Sequence, residues 1–279
     1  MEVEASLLIR TKNEGRHLAE TLKAVLSQSL KDCEFIILDS GSTDNTREIA
    51  LSFSQARLLE IGPERFTFGL ALNLAARHAR GKYLVMLSAH ALPADGQWLA
   101  SLIRHFEDSR VAAVYGRQLP RPEAWPPVKV DLLHCYGPKA QVHAKVEGVF
   151  FSNANGAIRK ALWERIPFDE ALPACEDQDW ARRAVAAGYL VVYDPQAAVY
   201  HSHNEAPWRV YCRYRDEEKG WQRILPSRKV DFRSFFQTWK ERTLMDLRFI
   251  LKNREGWLWL LLSPGYRIFW AFGQWRPYL

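Results

Sequence analysis

Three groups of side chains in this sequence are equipped for chemistry. The run ACEDQDWARRA sets Glu176, Asp177 and Asp179 around the start of a helical pattern, with Trp180 beside them. A carboxylate there can take a proton from a hydroxyl as a general base. The same acids would also complement the positive end of a helix, a purely structural use. The second group is split between two short stretches, Thr11, Asn13 and Glu14 in IRTKNEG and Asp39, Ser40, Gly41, Ser42 and Asp44 in LDSGSTDNT. The third is imidazole-rich: Ser88 and His90 in LSAHALP, then His201 and His203 alternating onto one face in YHSHN. Imidazoles ligate Mn²⁺ and later metals, or give a proton or hydrogen bond directly to a phosphate.

The elements between these groups say how they come together. Residues 5–50 read strand, helix, strand, helix: Leu18, Leu22, Val25 and Leu26 recur at helical spacing, and Phe35 to Leu38 form a buried strand. Both polar stretches fall where a strand ends, and the carboxyl ends of adjacent strands in an open α/β sheet form a crevice suited to a nucleotide. Taken alone, Gly41, Ser42 and Asp44 are ordinary turn and cap residues, and Asn45 with Glu48 makes a capping pair. A dinucleotide site fits less well, because no G-x-G-x-x-G follows the first strand. Further on, a helix from Phe68 through Asn73 to Ala79 is capped by Gly81 and feeds the strand Tyr83 to Leu87. Trp98, Leu99, Leu102, Ile103 and Phe106 form a helix face, Val111 to Tyr115 a strand, and PRPEAWPP a mobile or acceptor-facing loop.

The order strand, NE turn, amphipathic helix, strand, D-x-G-S-x-D, helix strongly resembles the N-terminal half of inverting family 2 glycosyltransferases of the GT-A fold. The stretch from VFFSNANG to VYHSHN continues that resemblance as a strand, the SNAN turn, a short helix, the ED pair, a helix and a closing strand. The LDSGSTDNT turn and HSHNEAPWRVYCRYRDEEKG look most like the rhamnosyltransferase-like branch. The resemblance implies an α/β fold, a Rossmann-like mixed sheet flanked by helices with a C-terminal helical tail. It implies transfer of one sugar from a UDP- or dTDP-linked donor to a polysaccharide or lipid-linked glycan. The ED-x-D-W match makes Asp177 the base, with Glu176 beside it, Asp179 the second choice, and Trp180 and Asn155 on the acceptor side. It sets Asp39 against uracil or thymine, with Thr11 and Glu14 adjacent, and Asn13, Ser42, Asp44, Asn73, Ser88 and His90 around the rest of the nucleotide sugar, Asn73 near the diphosphate.

One departure from the pattern is pronounced. Where the family carries D-x-D for a divalent cation, this chain has Ser88-Ala89-His90. The change weakens a Mg²⁺ site and leaves two readings: His90 and His201 hold Mn²⁺ or Mg²⁺, or His90 meets the phosphate directly. Loss of the acids also keeps open a catalytically inactive nucleotide-sugar binder. A nucleotidyltransferase is the other alternative, opposed by the absence of a glycine-rich, lysine-bearing phosphate loop.

At 279 residues and 48% hydrophobic content the chain has material for one large α/β domain and an appendage. The expected boundary gives a catalytic domain over residues 1–205 and a Trp-rich helical tail over 206–279. Cys33, Cys135, Cys175 and Cys212 form no C-x-x-C pair, so reduced thiols in a cytoplasm are expected, as is the lack of a signal peptide in MEVEASLLIR. The net charge of +6 is read as an anionic-membrane face rather than a nucleic-acid site. Within Val230–Leu279, Trp, Phe and Leu alternate with Arg and Lys, and Arg267 interrupts the apolar run, so a spanning helix is not expected. The tail then either docks at the inner face of the membrane, as in a peripheral protein, or packs on the catalytic domain or forms a homodimer contact.

Overall fold

Leu7, Leu8 and Ile9 are buried together with Phe35 to Leu38 and Leu84 to Leu87. Runs without a polar alternate belong to strands covered on both faces, which is how parallel sheets between helices are built. In the computed structural model, which describes residues 3–277, the elements begin β1 (Ala5–Thr11), α1 (Leu18–Leu26), β2 (Cys33–Asp39), α2 (Thr46–Ser52), β3 (Ala56–Glu60), α3 (Phe68–His78) and β4 (Tyr83–Ser88). Then come β5 (Leu92–Pro93), α4 (Trp98–Ile103), β6 (Val111–Leu119), α5 (Pro126–Cys135), β7 (Gln141–His143), β8 (Asn155–Arg159), α6 (Lys160–Arg165), α7 (Glu176–Ala186) and β9 (Leu190–Tyr200). Three long helices follow, α8 (Pro207–Ile224), α9 (Phe232–Asn253) and α10 (Trp259–Trp275).

The strands form one mixed sheet in the order β3-β2-β1-β4-β8-β6-β9-β5, with β7 pairing β9. β3, β2, β1 and β4 are mutually parallel, and β8 runs antiparallel to β4 and β6. Register matters most for function. Thr11 pairs with Asp39 and Arg10 with Ser88, so the carboxyl ends of β2, β1 and β4 finish level and present these side chains on one edge. Beneath that edge Leu18, Leu22, Val25, Trp98, Leu99 and Leu102 pack with Leu7, Ile9 and Val85 into the core.

The chain divides into two units. The first runs to Gln118 and adds Tyr136–Ala171 and Glu176–His201; the second gathers Leu119–Cys135, Leu172–Cys175 and the chain from Ser202 onward. The second unit is therefore not a tail alone, since α5 from the middle of the sequence belongs to it. Its core centres on Val210, Tyr266, Trp270 and Ala271. Arg267, fully buried, donates two hydrogen bonds to Asp246 (2.8 and 2.7 Å), one to Asp131 (2.7 Å) and one to the Pro127 carbonyl (3.0 Å). A guanidinium is stable at such depth only when paired with carboxylates in good geometry. Among the described residues no helix is long and apolar enough to cross a membrane.

Several local expectations are corrected. Gly81 does not cap the preceding helix, which ends at His78. Its N–H donates to Ser6 Oγ at 2.8 Å, and a Cβ there would stand 2.5 Å from the Ser6 nitrogen, so glycine is needed for close passage of β1. Asn45 and Glu48 do not cap α2, because Asp44 instead accepts from the Thr46 N–H at 3.0 Å. The last two prolines of PRPEAWPP open α5, where a missing N–H costs nothing. The strand expected before SNAN begins instead at its last residue, as β8.

Candidate active site

The loops that follow β1 and β2 are stitched together. Asp39, at the end of β2 and almost wholly buried, accepts four hydrogen bonds: from the Gly41 N–H (3.1 Å), the Ser42 N–H (2.9 Å), the Thr11 hydroxyl (3.1 Å) and, very closely, the Ser42 hydroxyl. Asn13, in the left-handed region at φ 56°, accepts from the Thr43 N–H at 2.8 Å, while its own N–H donates to Ser42 Oγ at 2.8 Å. Glu14 N–H meets Thr46 Oγ1 at 2.7 Å and Gly15 N–H meets Asp44 at 3.0 Å. Hydrogen bonding from Thr46, above all, holds the Asp44 carboxyl below its usual pKa. Such a network fixes the edge of the crevice before any ligand arrives.

Across the edge, α7 begins with the acid pair. Glu176 Oε1 accepts from Arg10 Nη1 (3.2 Å) and Asn153 Nδ2 (3.1 Å). Asp177 accepts from the Asn153 N–H (3.2 Å) and the Gln178 N–H (2.8 Å). Burial pushes the Asp177 carboxyl up to about 7, the Glu176 charge adds to the rise, and the two N–H groups and Arg10 oppose it. A carboxylate poised near neutrality suits proton abstraction from a hydroxyl. Arg10, whose guanidinium also lies 4.8 Å from the centre of the Phe68 ring, was not singled out from sequence, nor was Asn153. Arg10 could have been found as a cation at the end of an otherwise apolar, two-sided strand. Asn153 Oδ1 is buried without a hydrogen-bond partner, an acceptor available to a ligand.

The imidazoles gather at the end of β4. His90 Nδ1 lies 2.9 Å from Glu14 Oε1, and Ser88 Oγ is 3.3–3.4 Å from the ring nitrogens. The His90 and His201 rings stack with centroids 4.9 Å apart and planes 16° from parallel. His201 Nδ1 meets Gln118 Oε1 at 2.7 Å, and the Gln118 amide nitrogen donates to the Tyr136 and Ser152 hydroxyls. A proton on His201 Nδ1 matches the contact with Gln118 Oε1 and would make Nε2 the ligating nitrogen. The ligating atoms of His90 and His201 lie within 4.8 Å of each other. Two imidazoles beside the Glu14 carboxylate are a donor set that fits Mn²⁺ better than Mg²⁺. His203 falls in the second unit.

Four expected site residues are committed elsewhere. Asn73 is buried with its amide filled: Oδ1 accepts from Trp163 Nε1 (2.8 Å) and the Phe168 N–H (3.1 Å), and Nδ2 donates to the Phe168 carbonyl and Glu170 (2.9 Å each). It anchors a loop and offers nothing to a diphosphate. Asn155 is equally enclosed, accepting from Trp98 Nε1 at 2.8 Å and donating to the Arg117 and Ala197 carbonyls. Trp180 is fully buried between Phe151 and Phe168, its indole donating to the Ile166 carbonyl at 2.6 Å, so neither residue faces an acceptor. Asp179 pairs with Arg183 at 2.7 Å, two residues round the helix from Asp177.

Residues 6–166 match the model of the family described as Glycosyl transferase family 2. The chain belongs to that family. This family 2 glycosyltransferase is 30% identical over 265 residues to the O-antigen chain rhamnosyltransferase RfbN of Salmonella typhimurium strain LT2, covering 92% of this chain and 84% of the relative. It is 30% identical over 263 residues to the O-antigen chain rhamnosyltransferase WbaN of Salmonella anatum, covering 91% and 83%. Among solved structures it resembles the mannosyltransferase PcManGT of Pyrobaculum calidifontis, seen with GDP-Man and Mn²⁺, at TM-score 0.64 and 20% identity over 97% of this chain and 84% of that one. The likeness establishes the GT-A fold.

In this family 2 enzyme the raised pKa of Asp177 has a consequence for stability. The folded state holds the Asp177 proton to higher pH than the unfolded chain, whose aspartates ionise near 3.9. Stability contributed by this group therefore falls as pH rises from about 4 to about 7. Asp177→Asn is expected to raise the melting temperature relative to wild type at about pH 8 and to change it little at about pH 4. An equal shift at both, read by differential scanning fluorimetry, would contradict the burial of an ionisable group there.

Proposed function

We propose that this glycosyltransferase moves one sugar, with inversion, from a UDP- or dTDP-linked donor to a hydroxyl of a polysaccharide or lipid-linked glycan during envelope polysaccharide assembly. The observation that carries the reading is Asp177, a half-buried carboxylate with its pKa near neutrality, braced by Asn153 and the Arg10–Glu176 pair on the same unit as the nucleotide loops. The names of the curated relatives, both O-antigen chain rhamnosyltransferases, favour a deoxyhexose donor and a growing glycan.

In this mechanism Asp177 removes the proton from the acceptor hydroxyl as its oxygen attacks the anomeric carbon from the face opposite the diphosphate. The new C–O bond forms as the bond to the phosphate oxygen breaks, and its electron pair leaves with the nucleoside diphosphate. Glu176 and Arg10 hold the base in place, and Asn153 Oδ1 accepts a hydrogen bond from a sugar hydroxyl. On the nucleotide side Asp39 accepts a hydrogen bond from the pyrimidine N3–H in exchange for one of its hydroxyl donors, Thr11 or Ser42. His90 and His201, with Glu14 behind His90, would hold a divalent cation, which would supply positive charge for the diphosphate.

Asp177→Asn should lower turnover about a hundredfold or more while donor affinity changes little, since a base acts in the transition state. Asp179→Asn should keep most activity; the reverse ranking in a transfer assay would move the base by two residues.

Asp39→Ala is expected to weaken UDP and dTDP binding by roughly ten- to a hundredfold, the effect of removing a buried partner, and to leave GDP unaffected. Calorimetry giving the same loss for all three nucleotides would reduce Asp39 to an organiser of the loop.

For the cation, His90→Ala should impair transfer, and chelation of the wild type with EDTA should reproduce the defect, with Mn²⁺ restoring activity. Wild-type turnover indifferent to EDTA would leave His90 acting on the phosphate directly.

A further inference from the structure

The α9–α10 hairpin of the second unit carries an exposed apolar surface. On α10 and the residues leading into it, Trp257, Leu258, Leu261, Leu262 and Phe269 are exposed, Leu258 by 66% and Leu261 by 81%. Single exposed apolar residues are ordinary on any protein. These are not scattered, because positions 258, 261, 262 and 269 repeat at helical spacing and lie on one face.

The charge pattern decides what that face fits. Arg267 is the one charged residue between Trp257 and Trp275, and it points inward to Asp246 and Asp131. It does not interrupt the outward face, which is uncharged along a 17-residue helix about 25 Å long. At the hairpin tip Arg248, Lys252 and Arg254 are exposed. The acid among them, Glu255, is held by Lys129 at 2.9 Å. An apolar strip bordered by uncompensated cations matches a lipid interface with anionic headgroups. A second copy docked on this tip with two-fold symmetry would instead bring the same three cations against one another. Pro264 within α10, and the absence among the described residues of a helix able to span, require the helix to lie in the plane of the surface.

We propose that the α9–α10 hairpin docks this protein onto an anionic membrane, the outward face of α10 entering the headgroup region and Arg248, Lys252 and Arg254 meeting the lipid phosphates. The inference does not depend on the reaction assigned above, because it is tested without donor or acceptor. Purified full-length protein should co-sediment with vesicles of mixed phosphatidylglycerol and phosphatidylcholine, much less with phosphatidylcholine alone, and high salt should release it. Lys252→Gln with Arg254→Gln should weaken partitioning roughly thirtyfold, from the usual contribution of each basic residue near an anionic surface. Leu258→Ser with Leu261→Ser should weaken it at least tenfold, from the apolar area withdrawn from lipid. All four side chains are exposed, so circular dichroism of the variants should match wild type. Full-length protein that stays in the supernatant with both vesicle types would overturn the proposal. So would variants that bind as well as wild type, or a wild-type dimer that Leu258→Ser with Leu261→Ser dissolves.

Discussion

Two carboxylates placed side by side at the head of α7 set the terms for the candidate site. Like charges at that distance cannot both ionise cheaply away from water, so the site must either supply a cation or let one acid keep its proton. Here it does both. Arg10 reaches from the end of β1 to Glu176, and Asp177, without a guanidinium of its own, rises toward neutrality. The division follows from topology. β1 lies in the middle of the parallel half of the sheet, so its last residues reach the acid pair through Arg10 and the loop after β2 through Thr11. Moving that strand by one residue would exchange the faces on which the two side chains stand.

The paired loops after β1 and β2 follow a different logic. Asp39 is surrounded by donors from its own turn and from β1, so the loop is organised in the absence of ligand, and the energy of binding need not be spent on ordering it. The imidazole cluster is the least conventional part. With Ser88 and His90 where the family pattern has two acids, the groups offered at the end of β4 are imidazoles, His90 beside Glu14 and His201 beside Gln118. Softer donors widen the choice among divalent metals at the expense of affinity for magnesium.

The sheet edge was legible in the sequence because its signals are local: an apolar strand, a polar turn and a helical stripe, each within a dozen residues. Asp39, Asp177 and His90 could be named for that reason. Asn73, Asn155 and Trp180 sit in motifs of the same quality, yet a motif does not report burial, and the fold spends these three on holding loops and filling the core. Arg10 and Asn153 were missed for the complementary reason. Their importance lies in reaching Glu176, more than a hundred positions from Arg10, and no periodicity encodes such a contact. Gly81 was read as a helix end when the requirement on it is imposed by a neighbouring strand.

Helix α5 interrupts the sheet's stretch of sequence but takes its buried partner from the far end of the chain: Asp131 waits for Arg267, which follows it by 136 positions. Asp131 also takes Arg242 at 3.3 Å, so both cations that complete α5 lie more than a hundred positions after it. The two units therefore cannot be completed one after the other, as beads on a string would be. For the same reason, exchanging the C-terminal helices between related transferases would require residues 119–135 to travel with them, and a cut made where the sheet ends would leave behind a helix that belongs to the part removed.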